Sequence, residues 1–286
     1  MKSSGGSPAK RSGGNVDDAV VAGFADEWKR FDQRALSPAD RTGIFDDYFS
    51  VFPWSRLTAG AVGADIGCGS GRWALLVAPR VGLLHCVDPG DAIEVARRNL
   101  AGQSNIRFHR AGVGDLPFAD ESLDFAYSLG VLHHVPDTAA ALRQIARTLK
   151  SGAPFLVYLY YAFDNRPRWF RWIWRVSELL RRAISSLPYR IRYVASQFMA
   201  ATIYWPLARS ARLVESLGGH PANWPLAYYR DKAFYVMRTD ALDRFGTRLE
   251  KRFSRAQIQG MMEDAGFHDI RFADHVPYWC AVGIRN

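Results

Sequence analysis

The segment Asp65-Ile66-Gly67-Cys68-Gly69-Ser70-Gly71 directly continues an apolar run that starts at Val62. Alternating glycines make a turn in which the backbone takes positive φ and a ligand can approach the main chain closely. Such a turn belongs where a strand passes into a helix, and its surroundings carry that pattern. From 61 to 161 short apolar runs alternate with helix-like segments, the signature of β-α units around a parallel sheet. Strands are expected near 62–66, 83–87, 106–110, 123–128 and 154–160, with helices in the gaps. The second helix, 91–100, would align Ile93, Ala96 and Leu100. The fourth would run from Thr138 as N-cap to Lys150, with Gly152 ending it.

Upstream, 24–57 reads as helices, with Ser37-Pro38-Ala39-Asp40 as a capped start. Downstream, Ser254 and Gln257 form a capping box for a helix ended by Gly266, and strands near 269–273 and 278–284 follow. The expected fold class is α/β: a doubly wound, mostly parallel seven-stranded sheet with a helical insertion after strand 5. The expected divisions are a disordered Gly/Ser-rich tail (1–14), a helical lead (15–60), a cofactor-binding core (61–161), a basic Trp/Arg-rich insertion (162–252), and a closing helix with two strands (253–286).

Composition narrows the function classes. With 48% hydrophobic and 23% charged residues the chain is globular. Cys68, Cys86 and Cys280 lie far apart without a CxxC pair, so neither a disulfide framework nor a zinc or other metal site is expected, and a cytoplasmic setting fits. The tail lacks the apolar region of a secretory signal. The longest charge-free stretch, 193–208, is interrupted by Ser196, Gln197 and Pro206 and falls short of the roughly 18 residues of a membrane span. The net charge is +9, and 162–218 holds ten arginines against Asp164, Glu178 and Glu215.

The glycine spacing separates ligand classes. A dinucleotide fingerprint counted from Gly67 would need glycine where Arg72 stands. Asp65 would also repel a pyrophosphate, so the loop suits a cationic or zwitterionic ligand. Asp88-Pro89 at the end of the second strand places a carboxylate able to accept both hydroxyls of a ribose. Asp115, after the third, can accept from an adenine amino group beside an apolar wall. All three acids follow strands whose carboxyl ends open onto one crevice.

Together with Gly114-Asp115 to Asp120, Ser122-Leu123-Asp124, Val131-Leu132-His133-His134-Val135-Pro136-Asp137 and Leu149-Lys150-Ser151-Gly152, these motifs resemble the class I S-adenosylmethionine-dependent methyltransferases. More narrowly, they resemble the small-molecule branch with the ubiquinone/menaquinone-type enzymes, over about 62–156. The resemblance implies S-adenosylmethionine as cofactor. Gly67, Cys68, Gly69 and Gly71 would pack under its methionine part with Asp65 near the ammonium group; Asp88 and Pro89 would hold the ribose, Asp115 and Leu116 the adenine. The backbone at Ser128 and Leu129 would close the site.

Methyl transfer asks the protein for positioning, a dry pocket and, for hydroxyl-like acceptors, a proton acceptor. His133 and His134 follow the fourth strand near the reacting centre. Adjacent residues on a helical turn cannot both face the pocket; one is a candidate base, and a helix-start histidine bonded to backbone is the plain alternative. Tyr160, Tyr161, Tyr228, Tyr229 and Arg230, with Asp231, Asp240, Asp243 and Arg244, are candidates for acceptor contact or ordinary packing. Phe24, Trp28 and Phe31 have helical spacing and are expected in the core, a lid over the cofactor being the alternative.

Plotted on a helix, Arg168, Arg171, Arg175 and Arg182 fall on one face and Trp169, Trp172, Ile173, Val176, Leu180 and Ala183 on another. Two readings stand: a lid packed on the sheet with solvated arginines, and contact of 168–208 with an anionic membrane surface at the inner face. A small-molecule, glycan or lipid-linked acceptor is expected; the oligomeric state and the acceptor atom stay open. An RNA/DNA methyltransferase is the first alternative, opposed by Ser128-Leu129-Gly130-Val131, which is unlike the loops of enzymes acting on exocyclic base nitrogens. A non-catalytic cofactor-binding assembly protein is the second.

Overall fold

Phe125–Leu129 and Pro154–Tyr158 are buried at every residue, as strands covered on both faces must be. They are β4 and β5 of a seven-stranded sheet in the computed structural model, which describes residues 15–286; the tail 1–14 lies outside the described residues. The other strands are β1 (Val62–Ile66), β2 (Leu83–Val87), β3 (Ile106–His109), β6 (Phe267–Phe272) and β7 (Cys280–Arg285). Their order is β3-β2-β1-β4-β5-β7-β6. β7 runs antiparallel to β5 and β6, and the remaining pairs are parallel. The chain winds outward from β1 in one direction and from β4 in the other, so a crevice opens beyond the carboxyl ends of these two strands.

Two apolar layers sandwich the sheet. On one face, Phe45 and Phe49 of α2 (Pro38–Phe49), Val77 of α3 (Ala74–Val77) and Ile93 of α4 (Ala92–Asn99) pack with Leu84, Phe125 and Tyr127. On the other, Leu142 and Ile145 of α5 (Thr138–Thr148) pack with Ala126, Phe155 and Val157. Helix α1 (Asp18–Arg30) begins where the Asp17 carboxylate accepts from the backbone of Ala19 and Val20. Between β5 and the next sheet element come α6 (Arg168–Ser185), α7 (Tyr189–Met199), α8 (Trp205–Ser216) and α9 (Phe234–Gly246). They share a core of Ile184, Met199, Tyr204, Met237 and Phe245. Helix α10 (Arg255–Asp264) starts at the capping box of Ser254 and Gln257 and adds Ile258 and Met262 to the second layer.

Four local expectations are corrected. No helix connects β3 to β4 among the described residues; 110–124 is an irregular loop in which Glu121 takes φ +52°. Helix α5 is capped by Asp137, whose carboxylate accepts from Ala140, while the Thr138 hydroxyl donates to the Leu132 carbonyl at 2.7 Å. The helix stops at Thr148 because Leu149 is drawn into a bridge with Leu123, and Gly152, at φ +80°, instead forms the turn into β5. The last two strands also sit about two residues from their expected positions, since β6 starts directly after Gly266. Among the described residues, no helix is long and apolar enough to cross a membrane.

At Gly63 on β1 an added Cβ would overlap the Phe125 ring on β4. Gly63→Ala is therefore expected to cost about 1–3 kcal/mol through overpacking. A urea melt with an unchanged midpoint would show that Phe125 has room to move.

Candidate functional site

The loop after β1 is pinned to β2 by its backbone. The N–H groups of Gly67 and Cys68 both donate to the Val87 carbonyl, at 2.8 and 3.0 Å. Gly67 and Gly69 take φ +80° and +54°, and a Cβ would strike Val131 on Gly67 and the Trp28 indole on Gly69. Asp88 completes the cradle: one carboxylate oxygen accepts from Gly69 at 3.1 Å and the other from Gly90 at 2.9 Å. Burial nonetheless pushes this carboxyl up to about 6, the two backbone bonds holding it down in part.

A cavity of about 1250 Å³ runs from this loop into the helical segment. Gly67, Cys68, Gly69, Asp88, Pro89 and Leu129 stand on its wall, as do Ala111 and Val113. Five of the expected cofactor-binding residues do not. Asp65 lies beneath the floor, 1% exposed, accepting from the Tyr127 hydroxyl at 3.0 Å. Gly71 is a packing glycine whose missing Cβ leaves room for Leu100. Ser128 is buried and donates to the Ile66 carbonyl at 2.8 Å, tying β4 to β1. Leu116 is buried in the second apolar layer. Asp115 is exposed, its N–H closing a turn onto Gly112, because the helix-free loop turns it away from the wall.

The histidines separate as their adjacency demands. His133 is fully buried off the cavity, stacked on Tyr160 at 3.8 Å and accepting the Tyr160 N–H at 3.4 Å. Burial holds it well below the usual histidine range. His134 is on the wall. Its Nδ1 is 2.6 Å from the Leu249 carbonyl, a contact that requires Nδ1–H and leaves the lone pair of the neutral ring on Nε2. That Nε2 is 3.8 Å from Asp243 Oδ1. Both atoms are buried without a hydrogen-bond partner among the described residues. The other Asp243 oxygen accepts from the Tyr160 hydroxyl, and burial raises the carboxyl.

Around this pair the wall is acidic. Asp240 accepts from the Tyr229 hydroxyl at 2.8 Å and is pushed up to about 6 by burial. Glu27 of α1, 4% exposed, is raised by burial and then by Asp243 and Asp240. Arg72 faces the same space. Tyr160, Tyr161, Tyr228 and Tyr229 all line the cavity; Arg230 lines it too but is held by Glu215 at 2.7 Å.

Helix α1 also contributes to the wall. Phe24 and Trp28 form part of the cavity wall and only Phe31 enters the interior, because the helix crosses above the glycine loop and packs on α9. Glu27 was missed altogether. Its signal was an acid within the helical stripe of Phe24, Trp28 and Phe31, where a buried carboxyl needs a reason.

A doubly wound sheet whose glycine turn, Asp88 carboxylate and cavity share the carboxyl edge defines a Rossmann-like domain. Residues 64–157 match the family described as "Methyltransferase domain". The "O-methyltransferase rstn1" of Aspergillus nomiae is 38% identical over 96 residues, covering 31% of this chain and 42% of that protein. The human "Probable tRNA methyltransferase 9B" is 34% identical over 117 residues, covering 39% and 24%. The chain thus spans less than half the length of these curated relatives. The crystal structure of a SAM-dependent methyltransferase from Aquifex aeolicus superposes with a TM-score of 0.50 at 13% identity, covering 91% of this chain and 96% of that one, and it shares the fold.

Burial lifts Asp65 to about 7 against the bond from Tyr127. An acid whose folded pKa exceeds its unfolded value near 4 stabilises the fold at low pH and loses that contribution as pH rises toward 7. The stability of wild type minus that of Asp65→Asn is expected to fall by about 2–3 kcal/mol between pH 5 and pH 8. Urea melts giving the same difference at both pH values would remove Asp65 from this role.

Proposed function

We propose that the chain is an S-adenosylmethionine-dependent methyltransferase acting on a hydroxyl of an apolar small-molecule or lipid-linked acceptor. The observation that carries the acceptor reading is the facing pair His134 Nε2 and Asp243 Oδ1, two buried acceptor atoms 3.8 Å apart on the cavity wall with no donor between them. A hydroxyl group supplies the missing donor.

The residues suit the cofactor. The backbone of Gly67 and Gly69 stands on the cavity wall, its Cβ space filled by Val131 and Trp28, Asp88 offers carboxylate lone pairs beside it for a ribose, and Ala111, Val113 and Leu129 give an apolar wall. Glu27, Asp240 and Asp243 share the middle of the cavity with Arg72, a local carboxyl excess that favours a cationic ligand. When bound, S-adenosylmethionine supplies a methyl group activated by a positively charged sulfur.

The chain's own residues do the remaining work. His134, fixed by Leu249 in the tautomer that presents Nε2, takes the acceptor proton. Asp243 stabilises the resulting imidazolium, as a carboxylate close to a histidine does. Tyr160 donates to Asp243 and so holds that carboxylate in place. The roof of Phe24 and Trp28 keeps water from the loop.

The name of the A. nomiae relative supports an oxygen acceptor. Nucleic acid is the second reading, favoured by the name of the human relative and the arginine excess. Against it stand Trp172, Ile173, Val176 and Leu180 on the far wall, a surface suited to an apolar acceptor and not to phosphates.

Two measurements test this. By titration calorimetry, Asp88→Ala should weaken S-adenosylmethionine binding by about 1.5–3 kcal/mol. Wild-type affinity should fall by up to about tenfold at pH 5 as a carboxyl with pKa about 6 takes up its proton; absence of binding by wild type would end the cofactor reading. With labelled cofactor and a panel of hydroxylated apolar acceptors, His134→Gln and Asp243→Asn should each lower turnover roughly 10²–10⁴-fold while keeping cofactor affinity. Undiminished turnover would dismiss the pair as the proton acceptor.

A further inference from the structure

Among the described residues, every exposed large apolar side chain falls between Trp169 and Phe234. Isolated exposed leucines are ordinary, but a contiguous patch marks a surface that meets something. The patch is organised. At 100° per residue, α6 has three faces: Arg181, Ile184 and Ser185 are buried against the body; Trp172, Val176 and Leu179 point away from it, 66%, 50% and 68% exposed; Arg168, Arg171 and Arg175 form a stripe beside them. These three arginines are exposed and have no ion pair among the described residues. Helix α7 repeats the arrangement with Ile191, Val194 and Phe198 beside exposed Arg190.

The apolar face also meets the cavity. Trp172, Ile173, Val176 and Leu180 are exposed and at the same time line its wall, as does Ile203 before α8. The far end of the cavity therefore opens through the apolar patch.

We propose that α6 and α7 dock on an anionic lipid surface, their Trp/Leu/Phe stripe entering the headgroup boundary and the arginines pairing with acidic headgroups, so that the cavity mouth faces the bilayer. The docking stands on exposure and charge; the delivery of an acceptor from the lipid through that mouth rests on the function proposed above. Charge selects this occupant. A second copy of the chain would bring the same arginine stripe to the contact, and like charges repel. A lid closed on the sheet would bury the stripe that stands exposed here. The amphipathic pattern, basic beside Trp-rich apolar, is that of helices lying in an interface, and anionic leaflets attract such arginines over about a Debye length.

The test is co-sedimentation of the full chain with vesicles of phosphatidylglycerol and phosphatidylcholine, against phosphatidylcholine alone. Binding to the anionic vesicles is expected, at least roughly tenfold weaker on neutral vesicles or in 0.5 M salt. Leu179→Glu with Phe198→Glu, at exposed positions off the cavity wall, should abolish it, and Arg168→Gln with Arg171→Gln and Arg175→Gln should weaken it. Cofactor affinity, measured on the same variants, should not change, which separates failure of docking from failure of the methyltransferase reading. No binding to anionic vesicles overturns the proposal, as does binding that both variant sets leave intact. Light scattering that shows a dimer dissolved by Leu179→Glu would assign the face to a second copy and overturn it equally.

Discussion

The structure turns on one anchor: the Val87 carbonyl taking the N–H groups of both Gly67 and Cys68, with Asp88 next in the chain taking that of Gly69. It couples the end of β2 to the loop after β1, so these two strand ends are held together. Because the loop spends its backbone donors on β2, a side chain there would serve only to block. The space a Cβ would fill is given over to Val131 and Trp28, and the turn is roofed by α1 and walled by the segment after β4. Asp88 is consequently a carboxylate held by two backbone donors and still raised by burial, a group ready to accept hydroxyls and sensitive to mild acid.

From that anchor the cavity changes character along its length. Near the loop it is narrow in chemistry: glycine backbone, one aspartate, small apolar residues. In the middle it is crowded with carboxyls, Glu27, Asp240 and Asp243, each raised by burial, which Arg72, the histidine and the tyrosine hydroxyls moderate. A low-dielectric wall of acids raises the affinity for a cationic ligand and for proton donors alike. At the far end it becomes aromatic and aliphatic and runs out onto the exposed stripe of α6. A substrate threaded along it would carry a polar reacting end and an apolar body.

Much of the scaffold was legible. The β-α alternation, the capping box at Ser254 and Gln257 and the strand positions rest on local periodicity, which each segment carries by itself. The loop 110–124 breaks the β-α alternation, having no helix among the described residues, and this turns Asp115 away from the cavity. The α5 cap shifted by one residue since Asp137 outcompetes Thr138 once the threonine hydroxyl has found the Leu132 carbonyl. The stripe of Phe24 and Trp28 leaves core and lid open, because a helical stripe says that a face is covered, not by what.

The sequence by itself determined the class of sheet, the turn that leaves the main chain bare and the acid at the end of the second strand, because these depend on residues within a few positions of one another. Tertiary structure alone decided which histidine faces the cavity, that Asp243 and Glu27 join it from helices more than a hundred residues distant on either side, and that the Trp-rich stripe of α6 stays uncovered. Those are contacts between elements whose relative placement is set by packing over the whole molecule, and no local pattern encodes a distance across it.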